Sequence, residues 1–211
     1  MHSDEPTLPE ALDEALLRAG FAQGDDAETL LRVNLDARGP RHRVLALRGC
    51  VRHALLSSDD WLGALGDEDL DVRREALTLV AYEKVTDPAV FAAIIAALAD
   101  PDPLVVDAAA FALGEHLRVD AVDALSEVAT SHDDARCREA AVAALGAIGD
   151  DRGRPAVLGA LDDKAPVRRR AIVALSNFEG SDIEAALERA GQDRDWQVRA
   201  AVNQLARENE D

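Results

Sequence analysis

A ten-residue pattern recurs along this chain at a spacing that a single layered core would not produce. It reads VRREALTLVA from Val72, VVDAAAFALG from Val105, CREAAVAALG from Cys137, VRRRAIVALS from Val167 and VRAAVNQLAR from Val198, with a degenerate earlier copy, HRVLALRGCV, from His42. The intervals between the six copies are 30, 33, 32, 30 and 31 residues. A period this constant marks an array of supersecondary units, each burying its apolar face against the next.

Within a copy, the first, fifth and ninth positions are apolar or small, as in Val72, Ala76, Val80 or Val105, Ala109, Leu113. A spacing of four places them on one helix face. The last copy slips by one residue, Leu205 arriving early, as suits a terminal repeat. Before each copy lies a second apolar segment: ETLLRVNL, DDWLGAL, AVFAAIIAAL, AVDALSEVA, AVLGAL and IEAALERA. Each unit is therefore expected to be two helices joined by a short turn, the repeated pattern forming the second.

The turns carry helix-start chemistry. Asp67, Asp100, Asp162 and Asp193 sit five residues before the first position of the second helix, and Asp69, Asp102, Asp134 and Asp195 sit three before it. In DPDPLV, Asp102 can cap exposed N–H groups while Pro103 fits the first helical position. Arg follows the first position in five units, at Arg43, Arg73, Arg138, Arg168 and Arg199, with Val106 breaking the series. Asp and Arg at this phase predict a ladder of charge-assisted contacts along the turns.

Composition agrees. The 211 residues include 41 Ala and only 3% aromatics, which suits closely packed helices better than a β-sandwich or barrel. The expected fold is all-α: a right-handed α-solenoid of about six two-helix repeats with an extra N-terminal helix. Residues 1–23 are expected to form that capping helix, around LPEALDEALLRAG, and a flexible start, and residues 24–211 the solenoid. The charge of −18 speaks against a nucleic-acid binder, and no apolar run reaches the ~18 residues of a membrane span. The acidic N-terminus lacks a secretory h-region, so a cytoplasmic location is expected; the chain is also expected to be a monomer.

The Asp-x-Asp turn, the Val-Arg opening of the second helix and its Ala-Ala-x-Ala-Leu-Gly continuation, best seen in CREAAVAALG, resemble the HEAT-like repeat family. The likeness is to the short-repeat branch found in phycobilin lyase subunits, and it covers roughly residues 24–208. It implies a fold rather than a chemistry, because the shared residues are core and turn positions.

Catalytic signatures are absent: HExxH, GxSxG, GxGxxG and GxxxxGK[ST] do not occur. The HEAT-like deoxyhypusine hydroxylases bind iron through repeated His-Glu pairs; here Glu115-His116 is single and reversed, and reads as a surface helix end. Cys50 and Cys137 fall at core positions and are expected to be buried thiols; no CxxC pair indicates zinc. GDDRGR at 149–154 reads as ordinary repeat turn, and Trp61 and Trp196 as packing residues. No catalytic residue, metal or cofactor is expected.

Surface remains. The fourth, seventh and eleventh positions of the second helices should face outward on the concave side. They hold Leu45, Arg48, Arg52; Glu75, Thr78, Tyr82; Ala108, Phe111, Glu115; Ala140, Ala143, Ala147; Arg170, Val173, Asn177; and Ala201, Gln204, Glu208. Between Arg38 and His53 the chain carries Arg38, Arg41, Arg43, Arg48 and Arg52 without an acid. That cluster could grip an anion or pair with Asp25, Asp26 and Glu28. The leading reading is a non-catalytic scaffold or adaptor holding a protein segment, with an acidic stretch of the partner, at Arg48, Arg52, Tyr82, Phe111, Arg170 and Asn177. The resemblance implies an alternative, a regulatory or catalytic subunit similar to phycobilin lyases. A weaker alternative is nucleic-acid processing, as in the HEAT-like DNA glycosylases.

Overall fold

The computed structural model describes residues 8–208, and all of its regular structure is helical. The flexible start expected before the first helix lies outside the described residues. By backbone contacts the chain divides into two compact units, Met1–Ala93 and Ile94–Asp211.

The first unit begins with α1 (Leu8–Ala19), followed by the pairs α2 (Asp25–Val33) with α3 (Pro40–Arg52) and α4 (Ser58–Leu65) with α5 (Leu70–Val80). α1 packs against α2 and α3, and Leu16, Ala19, Leu31, Ala46 and Cys50 form their shared core. Helix α6 (Pro88–Ala96) carries the chain across the division. The second unit continues with α7 (Pro103–Glu115), α8 (Val122–Ser131) with α9 (Ala135–Ile148), α10 (Arg154–Gly159) with α11 (Ala165–Leu175), and α12 (Ser181–Ala190) with α13 (Trp196–Glu208). The segment before each of α7, α9 and α11 is partly wound as short 3₁₀ turns rather than one continuous α-helix.

The repeated pattern falls on α3, α5, α7, α9, α11 and α13, and its first, fifth and ninth positions are the core. Val105, Ala109 and Leu113, then Cys137, Ala141 and Leu145, then Val167, Ala171 and Leu175 are all buried. In the second unit α7 packs on α9 and α9 on α11. The consensus glycine at the tenth position allows the close approach. A Cβ on Gly146 would lie 2.6 Å from the Cα of Ala174, and one on Gly114 would lie 3.0 Å from the Cα of Ala144.

The turns show why Asp recurs. Asp69, Asp102, Asp134 and Asp195 each accept the backbone N–H two residues on, at 2.9, 2.8, 2.9 and 2.8 Å. These contacts satisfy donors that a helix start leaves open. One step upstream, Asp67, Asp100 and Asp193 accept from the N–H of Asp69, Asp102 and Asp195, and His132 takes that place through Nδ1 before Asp134. The arginine ladder joins consecutive turns. Arg43 donates to Asp67 at 2.7 Å; Arg138 forks onto Asp163 at 2.6 and 2.6 Å; Arg168 forks onto Asp193 at 2.9 and 2.8 Å. The same guanidiniums reach back to their own turns, Arg43 to the Ala37 carbonyl, Arg138 to that of His132 and Arg168 to that of Asp163.

Two details differ from expectation. In the fifth repeat Asp163, not Asp162, takes the ladder; the cap position there is Lys164, whose side chain makes no cap bond and whose N–H donates to Asp163. Trp61 is buried as expected, whereas Trp196, at the first position of α13, is 67% exposed.

Candidate functional site

The residues singled out from sequence divide between the units, Arg48, Arg52 and Tyr82 in the first and Phe111, Arg170 and Asn177 in the second. In the first unit, Arg48 on α3 forks onto Glu75 of α5 through Nε at 2.6 Å and Nη2 at 2.8 Å. That hydrogen bond raises the Arg48 pKa further, against the opposing effect of burial. One turn on, Arg52 lies over the Phe21 ring, 3.8 Å from its centroid, and donates to the Gly20 carbonyl. Arg41 pairs with Asp13 of α1 at 2.6 Å, and Arg43 belongs to the ladder. The acids that hold this arginine cluster are therefore Asp13, Asp67 and Glu75, not Asp25, Asp26 and Glu28. The reason is geometric: the side chains of α3 reach back to α1 and forward to the next second helix and its turn. Tyr82, just past the end of α5, is 71% exposed.

In the second unit a groove of about 520 Å³ runs along the exposed face of α7 and α9. From α7 come Asp107, Phe111, Gly114 and Glu115; from α9 come Arg136, Glu139 and the floor residues Ala140, Ala143, Ala144 and Ala147; from α11 comes Arg170. The tight packing at Gly114 brings the α7 wall against that floor. Phe111 is 40% exposed and forms the apolar wall. Arg170 reaches Glu139 at 3.6 Å, and Arg136 is held by its helix cap Asp134 at 2.6 Å. Burial pushes the Asp107 carboxyl above the usual range; Arg136 pulls it back, and Glu139 and Asp134 push it further up. Asn177 lies just beyond α11 and donates to the Gly146 carbonyl at 3.0 Å, closing an open acceptor in the last turn of α9.

Phe111 and Arg170 thus share one site, together with the alanines that the outward-facing register picked out. Sequence reasoning missed Asp107, Arg136 and Glu139. Ala108, at the fourth position of α7, is buried outright, and the third positions share a row with the seventh and eleventh. A 3–7–11 row, spaced by four, would have found Asp107 and Glu139.

Other chemistry is sparse. Cys50 and Cys137 are buried, and burial pushes both thiols up to about 11, far from thiolate reactivity. No group of three or more His, Cys, Asp or Glu among the described residues could hold a metal ion, and no helix among them is long and apolar enough to cross a membrane. In the 149–154 loop Gly149 adopts a left-handed φ of 66°, Asp150 accepts from the Arg152 N–H, and the Arg152 and Arg154 side chains tie the loop to the Val119 and Glu179 carbonyls.

Comparison with known proteins gives the same architecture. A family model described as HEAT repeats matches residues 58–146, 91–176 and 122–206. No curated protein matches the chain. Among solved structures, YibA from E. coli is similar at a TM-score of 0.62 and 17% identity, over 96% of this chain and 75% of that one. The complex of CpcE and CpcF of phycocyanin lyase from Nostoc sp. PCC7120 contains a chain similar at 0.62 and 20%, over 96% and 79%. A designed armadillo repeat protein, solved with the peptide (KR)4, is similar at 0.58 and 14%, over 93% and 98%. At these identities the likeness is one of fold.

Proposed function

The chain belongs to the HEAT-repeat family, and from that premise we propose that it is a non-catalytic interaction module holding a segment of a partner protein in the groove between α7 and α9. The observation that carries this reading is the groove itself: an alanine floor with an aromatic wall and a charged rim, with a volume in the range of ligand sites. An alanine floor lets a partner backbone approach closely, and Phe111 offers an anchor of the kind that dominates binding energy. The designed armadillo neighbour, solved in complex with a peptide, supports a peptide-holding role for a fold of this kind.

The arginine end of the first unit is the less favoured surface for an acidic segment. Arg48 already holds Glu75 and Arg52 already stacks on Phe21, so an incoming carboxylate would exchange one partner for another with little net gain. Nucleic-acid processing is disfavoured by the groove's own lining, which sets Asp107, Glu115 and Glu139 against two arginines that are already paired.

The likeness to the CpcE–CpcF complex supports a second reading, a subunit of a bilin-handling enzyme. An absorbance change on mixing the chain with a bilin, alone or with a companion subunit, would favour it. The scaffold reading is tested by placing a benzophenone amino acid at Ala147 in the groove and, as control, at exposed Glu127 on α8. A partner protein crosslinked from Ala147 alone, and lost in the Phe111→Ala variant, is the expected result. Identical crosslinks from both positions would sink the groove as the binding site.

A further inference from the structure

The groove has a charge pattern that selects its occupant. Asp107, Phe111 and Glu115 are spaced by four on α7 and so form one row, acid, aromatic, acid, along a single wall. Across from them is the alanine floor of α9. The two guanidiniums in the lining are both engaged, Arg136 by Asp134 and Arg170 by Glu139. Among the described residues, neither Asp107 nor Glu115 is in an ion pair. An apolar segment laid in this groove would cover those carboxylates at a desolvation cost, which for Asp107 the field of nearby Arg136 offsets only in part. An acidic segment would meet like charge. A long cationic side chain suits both features, because its methylene stem covers apolar surface while its head reaches a carboxylate. The upward push on the Asp107 carboxyl by burial fits the same picture, since a nearby cation would favour its ionised form.

Resting on the reading of this groove as a docking surface, we infer that its occupant is a basic, extended peptide segment whose Arg or Lys side chain lies along the alanine floor against Phe111 and ends at the carboxylate of Asp107 or at that of Glu115, which stand about 12 Å apart along α7. The net charge of −18 would hasten the encounter without supplying the specificity.

The test uses the full chain and four pools of random heptapeptides, fixed at the central position as Arg, Lys, Glu or Leu. Binding is read by fluorescence polarisation at low and moderate salt. The variants are Asp107→Asn with Glu115→Gln, and a control with the same charge change on α12, Glu184→Gln with Glu188→Gln; circular dichroism verifies that both fold. Wild type is expected to prefer the Arg and Lys pools. The groove variant should lose roughly tenfold or more of that affinity, the scale of one charge-assisted contact, while the α12 variant stays near wild type. Equal losses in both variants would mean that net charge alone draws the peptides, and would overturn the inference. Preference for the Glu or Leu pool, with crosslinking from Ala147 intact, would overturn it too while leaving the docking reading standing. No pool bound and no crosslink from Ala147 would overturn both.

Discussion

Arg168 is 6% exposed, yet each of its three guanidinium nitrogens donates a hydrogen bond, one to each carboxylate oxygen of Asp193 and one to the Asp163 carbonyl. Two turns of the array are joined by this one side chain. Replacing it with Met keeps the apolar stem and leaves Asp193 without its fork, so urea unfolding should show a loss of about 1.5–3 kcal/mol. Arg168→Lys should recover only part of it, because an ammonium cannot fork; full recovery would mean that charge alone suffices. The ladder also sets the acid response. The Arg138 and Arg168 hydrogen bonds hold the carboxyls of Asp163 and Asp193 below the usual range. A depressed folded pKa contributes stability that is present above the unfolded value of about 3.9 and is lost as pH falls through the lower folded value. Thermal melts from pH 6 downward should therefore stay level until about pH 4 and drop below it, and Asp193→Asn should flatten the drop while lowering the plateau. An unchanged slope in that variant would remove the ladder from the account.

At the scale of helices, the repeat consensus sets glycine against its own helix propensity. Gly costs roughly 1 kcal/mol relative to Ala in a helix interior. At Gly63 on α4 nothing lies within 4 Å of an added Cβ, so Gly63→Ala should gain up to about that amount. At Gly146 the added Cβ would meet the backbone of α11 at 2.6 Å, so Gly146→Ala should lose about 1–3 kcal/mol instead, as overpacked cores do. Opposite signs for one chemical change, measured side by side, would separate packing from propensity. A gain at both positions would show that α9 and α11 can part without cost. The same close packing builds the groove, since Gly114 lets α7 approach Ala144 and sets the depth of the floor beside Phe111.

For the whole molecule, the dominant quantity is a formal charge of −18 on 211 residues. Self-repulsion of that size opposes compactness and is screened by salt over about 10 Å at 0.1 M. The ladder contacts are short and largely covered, so screening weakens them less than it relieves the surface. Raising sodium chloride from 0.02 to about 0.5 M should therefore increase the melting temperature. A fall would mean that attractive pairs, rather than repulsion, dominate the balance. Basic peptides should respond in the opposite sense, their association slowing as salt rises, because screening weakens the steering that brings them in.

The repeat register was legible in the sequence because a helix face recurs every four residues and each unit must bury the same face against its neighbour. Hence the two-helix units, the buried Val105, Ala109 and Leu113, the capping Asp102 and the Asp193–Arg168 rung of the ladder follow from spacing, whereas Asp163 in place of Asp162 beneath Arg138 does not. The partners of the exposed arginines did not follow, since they depend on which helix lies beside α3 and how far its side chains reach. Arg41 finds Asp13 and Arg48 finds Glu75, 28 and 27 positions away in the chain. The groove sits between these cases: spacing placed Phe111, Arg170 and the alanines on an outward face, but the rotation of α7 that buries Ala108 and leaves Asp107 on the rim is set by how closely the glycine-bearing α7 packs on α9.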